Sequence, residues 1–500
     1  MNTFLNGMKE ATNYTLTENG ALTHKSTMDD VLDLFAMGAA YRSRSEQDCI
    51  LLFKNAYIAD PVYALKCLFY IADCRGGQGE RRFFRVCAKW LASYDPEAIR
   101  RNLIHIPEYR RWDDLFVFIG TPVESDALDI VKHQLALDVQ CKTPSLLGKW
   151  MPSENTSSLK TRKTAAYVRK YLGMTSKQYR KTLSILRARI NVLERLMSEG
   201  RWDEIEFDKI PSKAGLKYKN AFARHDIERM KKNPEVKTYA DFAKDTTTKV
   251  NAKDLYPYEV VDKATKVFHT RMDDTDRLMV NKFWDNLANY FNGKSLNALA
   301  VVDTSGSMTW SGGAAKPINV AISLGMYCAE RAKGPFAGHY VSFASRPQLI
   351  KVEGVDFVDK AKRIYQTNLC DNTNIEATFD MLLNTAIRNN CDQSELPENI
   401  IIISDMEFDA ARGYGSRNTS AKTLMENIRD KWARAGYRMP KLIYWNVDAR
   451  QDNIPEDIGV GNISYVSGMS ASIFETIMSG KTGIELMKEK LDSPRYEVIR

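Results

Sequence analysis

The run Asn399-Ile400-Ile401-Ile402-Ile403-Ser404-Asp405 is the strongest constraint on how this chain folds. Four consecutive isoleucines give no polar face for an amphipathic helix. They read as a strand buried on both sides, as in the middle of a parallel sheet. The same texture begins at about Leu296. LNALAVVD (296–303) is a buried strand, Gly338 to Val352 contains a strand and then a turn at Arg346-Pro347, and Leu442 to Val447 and Ile463 to Val466 are further strands. Helical stretches alternate with them: Pro317 to Ala332, with proline in the first turn, Glu376 to Asn389, and Ser420 to Gly436, closed by glycine. Strand–helix alternation over this length implies an open parallel α/β sheet across residues 295–500.

Residues 1–294 have a different pattern. Val31, Leu34 and Phe35 fall at helical spacing behind Ser26-Thr27, a cap-like pair. Leu183, Leu186, Ile190, Leu193 and Met197 form one apolar stripe, predicting a continuous helix with Arg180 and Arg187 on another face. Met151 to Thr164, rich in Ser and Thr, reads as a loop, and Lys231 to Lys253 as an exposed polar stretch. No run here alternates like a strand, so this half is expected to be an all-helical bundle or an irregular α-solenoid.

Composition narrows the class. A chain of 500 residues with 44% hydrophobic and 27% charged residues holds two or three domains and is not broadly disordered. Its longest apolar runs fall well short of the ~20 residues of a membrane span, so no membrane partner is expected. The start, MNTFLNGMKEATNYT, has no basic segment followed by an apolar one, which suits a cytoplasmic protein. Cys49, Cys67, Cys74, Cys87, Cys141, Cys328, Cys370 and Cys391 form no CxxC pair and are expected to be reduced and mostly buried.

Charge is concentrated. Lys142 to Arg189 carries twelve lysines and arginines and one acid, Glu154, so that the remainder of a chain of net charge +8 is slightly acidic. Lys160, Arg162, Lys163, Arg169, Lys170, Lys177, Arg180, Lys181 and Arg187 are interleaved here with Tyr167, Tyr171 and Tyr179. Such a segment is either a solvated helical face with tyrosines in the core, or a nucleic-acid contact in which cations meet phosphates and rings stack on bases. The string Asp73-Cys74-Arg75-Gly76-Gly77-Gln78-Gly79-Glu80-Arg81-Arg82 lacks the GK[ST] ending of a phosphate-binding P-loop. It is either a turn between helices or a turn that presents Arg75, Arg81 and Arg82, with Arg85, to phosphate. The paired acids of IPEYRRWDDLF (106–116) suit caps or ion pairs better than catalysis.

In open α/β sheets, ligands sit beyond the carboxyl ends of the strands. The first strand runs into Asp303-Thr304-Ser305-Gly306-Ser307, the central one into Ser404-Asp405, and Asp371-Asn372-Thr373-Asn374-Ile375 lies between them in sequence. Asp303, Ser305 and Ser307 alternate and can converge as the strand becomes a loop. They are either capping groups of a strand-to-helix turn or, with Thr373 and Asp405, a set of hard oxygen donors suited to Mg²⁺ or another divalent cation.

This DxSxS element resembles the metal-ion-dependent adhesion site of von Willebrand factor A (vWA) domains. Asp303, Ser305 and Ser307 match its first cluster, Thr373 its distal threonine and Asp405 the acid after the fourth strand. Asp371-Asn372 stands where that family often has glycines. The resemblance implies a Rossmann-like α/β vWA fold for 295–500 and a divalent cation at these five residues. DCRGGQGERRFFR, PEYRRWDDLF, KAGLKYKNAFARHD (213–226) and DLYPYE (254–259), ahead of that element, resemble an uncharacterised vWA-containing family of plants, fungi, bacteria and large viruses or phages. That family is more distantly similar to the Ro (TROVE) ribonucleoproteins. The resemblance implies a HEAT-like, TROVE-like helical ring over 1–294, closed by the vWA domain and binding small structured or single-stranded RNA.

Two functions follow as expectations. One is a Ro-like RNA-binding scaffold. The other is an interaction module without RNA, whose metal site captures an acidic protein partner. No nucleophile–base pair announces an enzyme.

Overall fold

The computed structural model describes residues 7–8, 11–265, 273–294, 296–310, 315–343, 346–367, 373–410, 422–457 and 459–500. Asp371, Asn372 and Cys370 lie outside the described residues, as do Ser420 and Ala421.

Strands β1 (Tyr14–Leu16) and β2 (Leu22–His24) form an antiparallel hairpin, with Tyr14 opposite His24. This corrects the all-helical expectation for the first half. Three residues a side leave too little alternation to read. The hairpin also draws on distant chain: His24 exchanges backbone hydrogen bonds of 3.0 and 2.8 Å with Ile454.

Helices follow. The first, Asp30–Met37, is capped by the Asp29 carboxylate, which accepts from the Val31 and Leu32 N–H groups, rather than by Ser26-Thr27. The stripe from Leu183 to Met197 does not lie on one helix. Ser176–Arg189 ends there, and a new helix, Leu193–Ser198, begins. The break sits at Asn191, whose φ of 48° is the left-handed conformation that asparagine tolerates. The loop before these helices is shorter than the sequence suggests, because Ser158 caps a helix that already starts at Leu159 (Leu159–Tyr171). Within the polar stretch 231–253, buried Tyr239 and Phe242 anchor a short helix, Tyr239–Lys244.

The C-terminal part is built on six strands: β3 (Ala298–Asp303), β4 (His339–Phe343), β5 (Gln348–Lys351), β6 (Asn399–Ser404), β7 (Lys441–Asn446) and β8 (Ile463–Ser467), in spatial order β5-β4-β3-β6-β7-β8. All neighbours are parallel except β4 and β5. The sheet is therefore mixed rather than parallel. Only residues 344–347 separate β4 from β5, too few for a crossover. The isoleucines of β6 are fully buried between β3 and β7. Helix Pro317–Arg331 packs across β3, β4 and β6. Gly325 permits the close approach, since a Cβ there would lie 2.5 Å from Val302 Cγ2.

Both ends of the helical part rest on this sheet part. Asp30–Met37 packs on β8, and Pro257–Thr265 and Asp274–Asp285 pack on the helices Pro317–Arg331 and Phe357–Thr367. Buried apolar side chains form one continuous cluster through both parts. Among the described cysteines none is paired; Cys49, Cys67, Cys87 and Cys328 are buried, whereas Cys74 and Cys141 are exposed. Among the described residues no helix is long and apolar enough to cross a membrane.

Candidate ion site and cation-lined cavity

The chain leaves β3 toward β4 on one side and leaves β6 toward β7 on the other. The carboxyl ends of β3 and β6 therefore flank the point where strand order reverses, the crevice that ligands occupy in such sheets. Asp303 ends β3 and Asp405 follows β6. Asp303 Oδ1 accepts the Ser305 N–H at 2.9 Å, and its Oδ2 accepts the Ser404 hydroxyl at 2.5 Å. The Ser305 and Ser307 hydroxyls are 3.0 Å apart, and Ser307 donates to Asp405 Oδ2 at 3.0 Å. Four of the five predicted donors thus meet directly. Thr373 joins through Asn19, whose amide donates to its hydroxyl at 3.4 Å and to the Glu407 carbonyl at 2.6 Å.

Asp303, Ser305, Thr373 and Asp405 are almost fully buried, and Ser307 is half-buried. Burial and neighbouring Asp405 push the Asp303 carboxyl up, and burial raises Asp405 as well. Next along the chain, Met406 is held at φ 67°, which is costly for a residue with a Cβ. Glu407 is pushed up to about 7 by burial, against the Glu18 N–H that it accepts. One guanidinium answers this crowding: Arg450 Nη2 donates to Asp405 Oδ2 at 2.9 Å.

The donor set fits a divalent cation. Two buried carboxylates and two hydroxyls converge, and the charge they lack is positive. Among the described residues no cluster of three His, Cys, Asp or Glu side chains forms a metal cage. An ion here would be held partly by hydroxyls and water, as suits Mg²⁺.

The predicted nucleic-acid residues divide. Lys160, Arg162, Lys163, Lys170, Lys177, Arg180 and Lys181 are exposed. Arg169 pairs with Glu154 at 2.8 Å, and Arg187 donates to the carbonyls of Gly148 and Met151, both at 2.9 Å. Arg75 donates to the Glu108 carbonyl, and Arg82 to the Arg42 carbonyl at 3.3 Å. Arg81 and Arg85 pair with Asp113 and Asp114, which are structural partners as expected. The tyrosines are not free stacking platforms. Tyr179 is buried on the Pro152 carbonyl, while Tyr167 and Tyr171 bond Glu124 and Asp129.

The helical part also forms a half-open cavity of about 1260 Å³. Its wall comes from four separated stretches, near residues 74–111, 146–199, 211–218 and 254–256. Gly79, at φ 71°, packs against Tyr256 in this wall; a Cβ at Gly79 would collide with the Tyr256 hydroxyl. Ten lysines and arginines line it against four acids, among them Arg75, Arg81, Arg180 and Arg187. Arg111 is half-buried in this wall. This guanidinium lies 4.4 Å over the Trp150 ring, with Lys149 at 5.5 Å from the same ring. Burial, then neighbouring Arg81, lowers the Arg111 pKa. Arg111 has no ion-pair partner among the described residues. Sequence reading missed Arg111, Lys149 and Trp150. It quoted Lys213 and Lys217 only as part of a family string, although both line the cavity.

Two family models match the chain, the domain of unknown function DUF2828 over residues 17–113 and 125–295 and the domain of unknown function DUF7788 over 297–497. An uncharacterised protein of Acanthamoeba polyphaga mimivirus is 29% identical over 505 residues, covering 94% of this chain and 85% of the relative.

Proposed function

The chain belongs to the family defined by the domain of unknown function DUF2828, and within it we propose a nucleic-acid-binding scaffold that holds single-stranded RNA in the cation-lined cavity. One observation carries the reading: Arg111 is half-buried against Trp150, its pKa lowered by burial and Arg81 despite Asp113 and Asp114, and it has no ion-pair partner among the described residues. A phosphate supplies the missing anion. The cavity exceeds the ~300–1,000 Å³ of ordinary small-molecule pockets, which suits a polymer. The exposed lysines of Leu159–Tyr171 and Ser176–Arg189 extend the basic surface outward, since Thr161 and Arg180 of the same helices line the wall. In this reading the helical part is the Ro-like ring. The sheet part is the vWA-like closure, with Mg²⁺ at Asp303, Ser305, Ser307 and Asp405. The protein binds rather than catalyses.

A second reading is cation-dependent capture of an acidic protein partner. It is favoured by Trp310, 75% exposed and three residues beyond Ser307. Fluorescence anisotropy with a labelled single-stranded RNA separates the two. Arg111→Glu is expected to weaken binding at least about tenfold, and Asp303→Ala to leave it nearly unchanged. RNA binding that ignores Arg111→Glu moves the RNA surface out of the cavity, and no RNA binding favours the second reading.

A further inference from the structure

The tip of the N-terminal hairpin lies on the ion site. Thr17 Oγ1 donates to the Phe408 carbonyl at 2.6 Å, and the Glu18 N–H to Glu407 Oε2 at 2.6 Å. Asn19 reaches Thr373 and Glu407, as described above, and its carbonyl accepts the Ala410 N–H at 3.3 Å. The Glu18 carboxylate, half-exposed, meets Arg450 Nη1 at 2.7 Å, while the other arm of the same guanidinium holds Asp405. An unbroken chain thus runs Glu18–Arg450–Asp405–Ser307–Ser305. Arg450 Nε is buried and has no hydrogen-bond partner among the described residues, so these leave the guanidinium partly unsatisfied where it sits.

Asp405 Oδ2 already accepts both Ser307 and Arg450. A divalent cation on the serines and aspartates would stand against the guanidinium on that same oxygen. Like charges at such range repel strongly in a buried site. Glu407 and Asp448 also face the guanidinium, but its other direct ion pair among the described residues is with Glu18, on a tip that solvent reaches.

We infer that Arg450 is a tethered counter-cation of the ion site, that a divalent cation displaces it from Asp405, and that Glu18 on the hairpin tip receives it. Ion occupancy and docking of the hairpin are then coupled. This rests on reading Asp303, Ser305, Ser307 and Asp405 as a cation site. Glu18 acts only through Arg450, so it is a positioning residue.

The test is Mn²⁺ binding to the full chain by calorimetry, with electron paramagnetic resonance as a second readout. Arg450→Gln removes the competitor and is expected to tighten Mn²⁺ binding about tenfold. Glu18→Gln removes the receiving anion and is expected to weaken it about threefold. The double variant is expected to match Arg450→Gln alone. Hydrogen exchange over residues 14–24 is expected to slow when Mn²⁺ binds the wild type. Wild-type binding that Arg450→Gln leaves unchanged or weakens overturns the inference and leaves the ion reading standing. So does a Glu18→Gln effect that persists in the double variant. If neither wild type nor Arg450→Gln takes up Mn²⁺ at millimolar concentration, the ion reading and this inference fall together. Uptake by Arg450→Gln alone supports both.

Discussion

The cavity in the helical part and the crevice at the sheet end are opposites in charge and alike in design. In the cavity, Arg111 lies on an aromatic face beside Arg81 and Arg110, with Asp113 and Asp114 close enough to offset them in part but paired to other arginines. In the crevice, Asp405 crowds both Asp303 and Glu407, and Arg450 answers Asp405 and Glu407. Each region keeps one sign of charge short of partners, which costs stability and marks a place for a ligand of the other sign. The contrast with Asp114 is instructive. Burial raises that carboxyl, but Arg110, Arg85 and Arg81 overcome it and hold it low. There the charges are settled among themselves, and the cluster is a structural joint. Arg111, next to Arg110, feels Asp113 and Asp114 but forms no ion pair with either among the described residues.

Substitutions can break or sharpen this comparison. The largest effect belongs to the joint. Asp114→Ala leaves buried Arg110 without its ion pair and Arg81 and Arg85 with Asp113 alone, and is expected to lower stability by about 3–5 kcal/mol in chemical denaturation, whereas Arg111→Ala should cost little. Equal losses would erase the distinction between the two arginine settings. Next, Lys149→Glu with Lys217→Glu is expected to weaken single-stranded RNA binding on the order of 100-fold at moderate salt, with a smaller slope of log affinity against log salt. Trp150→Ala should cost about tenfold in the same anisotropy assay, the scale of one aromatic stack. Smallest is the outer surface: Lys160→Glu with Lys163→Glu is expected to cost about threefold, since exposed charges are well screened. A larger loss there than in the cavity would move the binding surface outside.

The two regions also differed in how much the sequence revealed. The meeting of Asp303, Ser305, Ser307 and Asp405 was legible because strand periodicity places the first three within five residues, and Asp405 follows the most strand-like run in the chain. Arg450 and Glu18 were not legible. They arrive from a loop after β7 and from a hairpin nearly 400 residues upstream of β6, and no local spacing records that meeting. The antiparallel edge strand was hidden for a similar reason, since the sequence showed the turn at Arg346-Pro347 but not the direction of the second strand. The cavity was legible only as an excess of charge. Lys160 and Arg187 look equivalent in a list of cations, yet one is solvated and the other ties down the carbonyls of Gly148 and Met151. Arg111 reads as one of a pair with Arg110. Only the fold gives Arg110 to Asp114 and lays Arg111 on Trp150.

The most direct test of the central claim is ultraviolet cross-linking of the full-length protein to a single-stranded RNA, with the cross-linked peptides mapped by mass spectrometry. Cross-links concentrated on peptides carrying Trp150 and Tyr218, and lost at high salt, are the predicted result. Cross-links confined to the outer face of Leu159–Tyr171 or to the end of β3, or none at all, would contradict it.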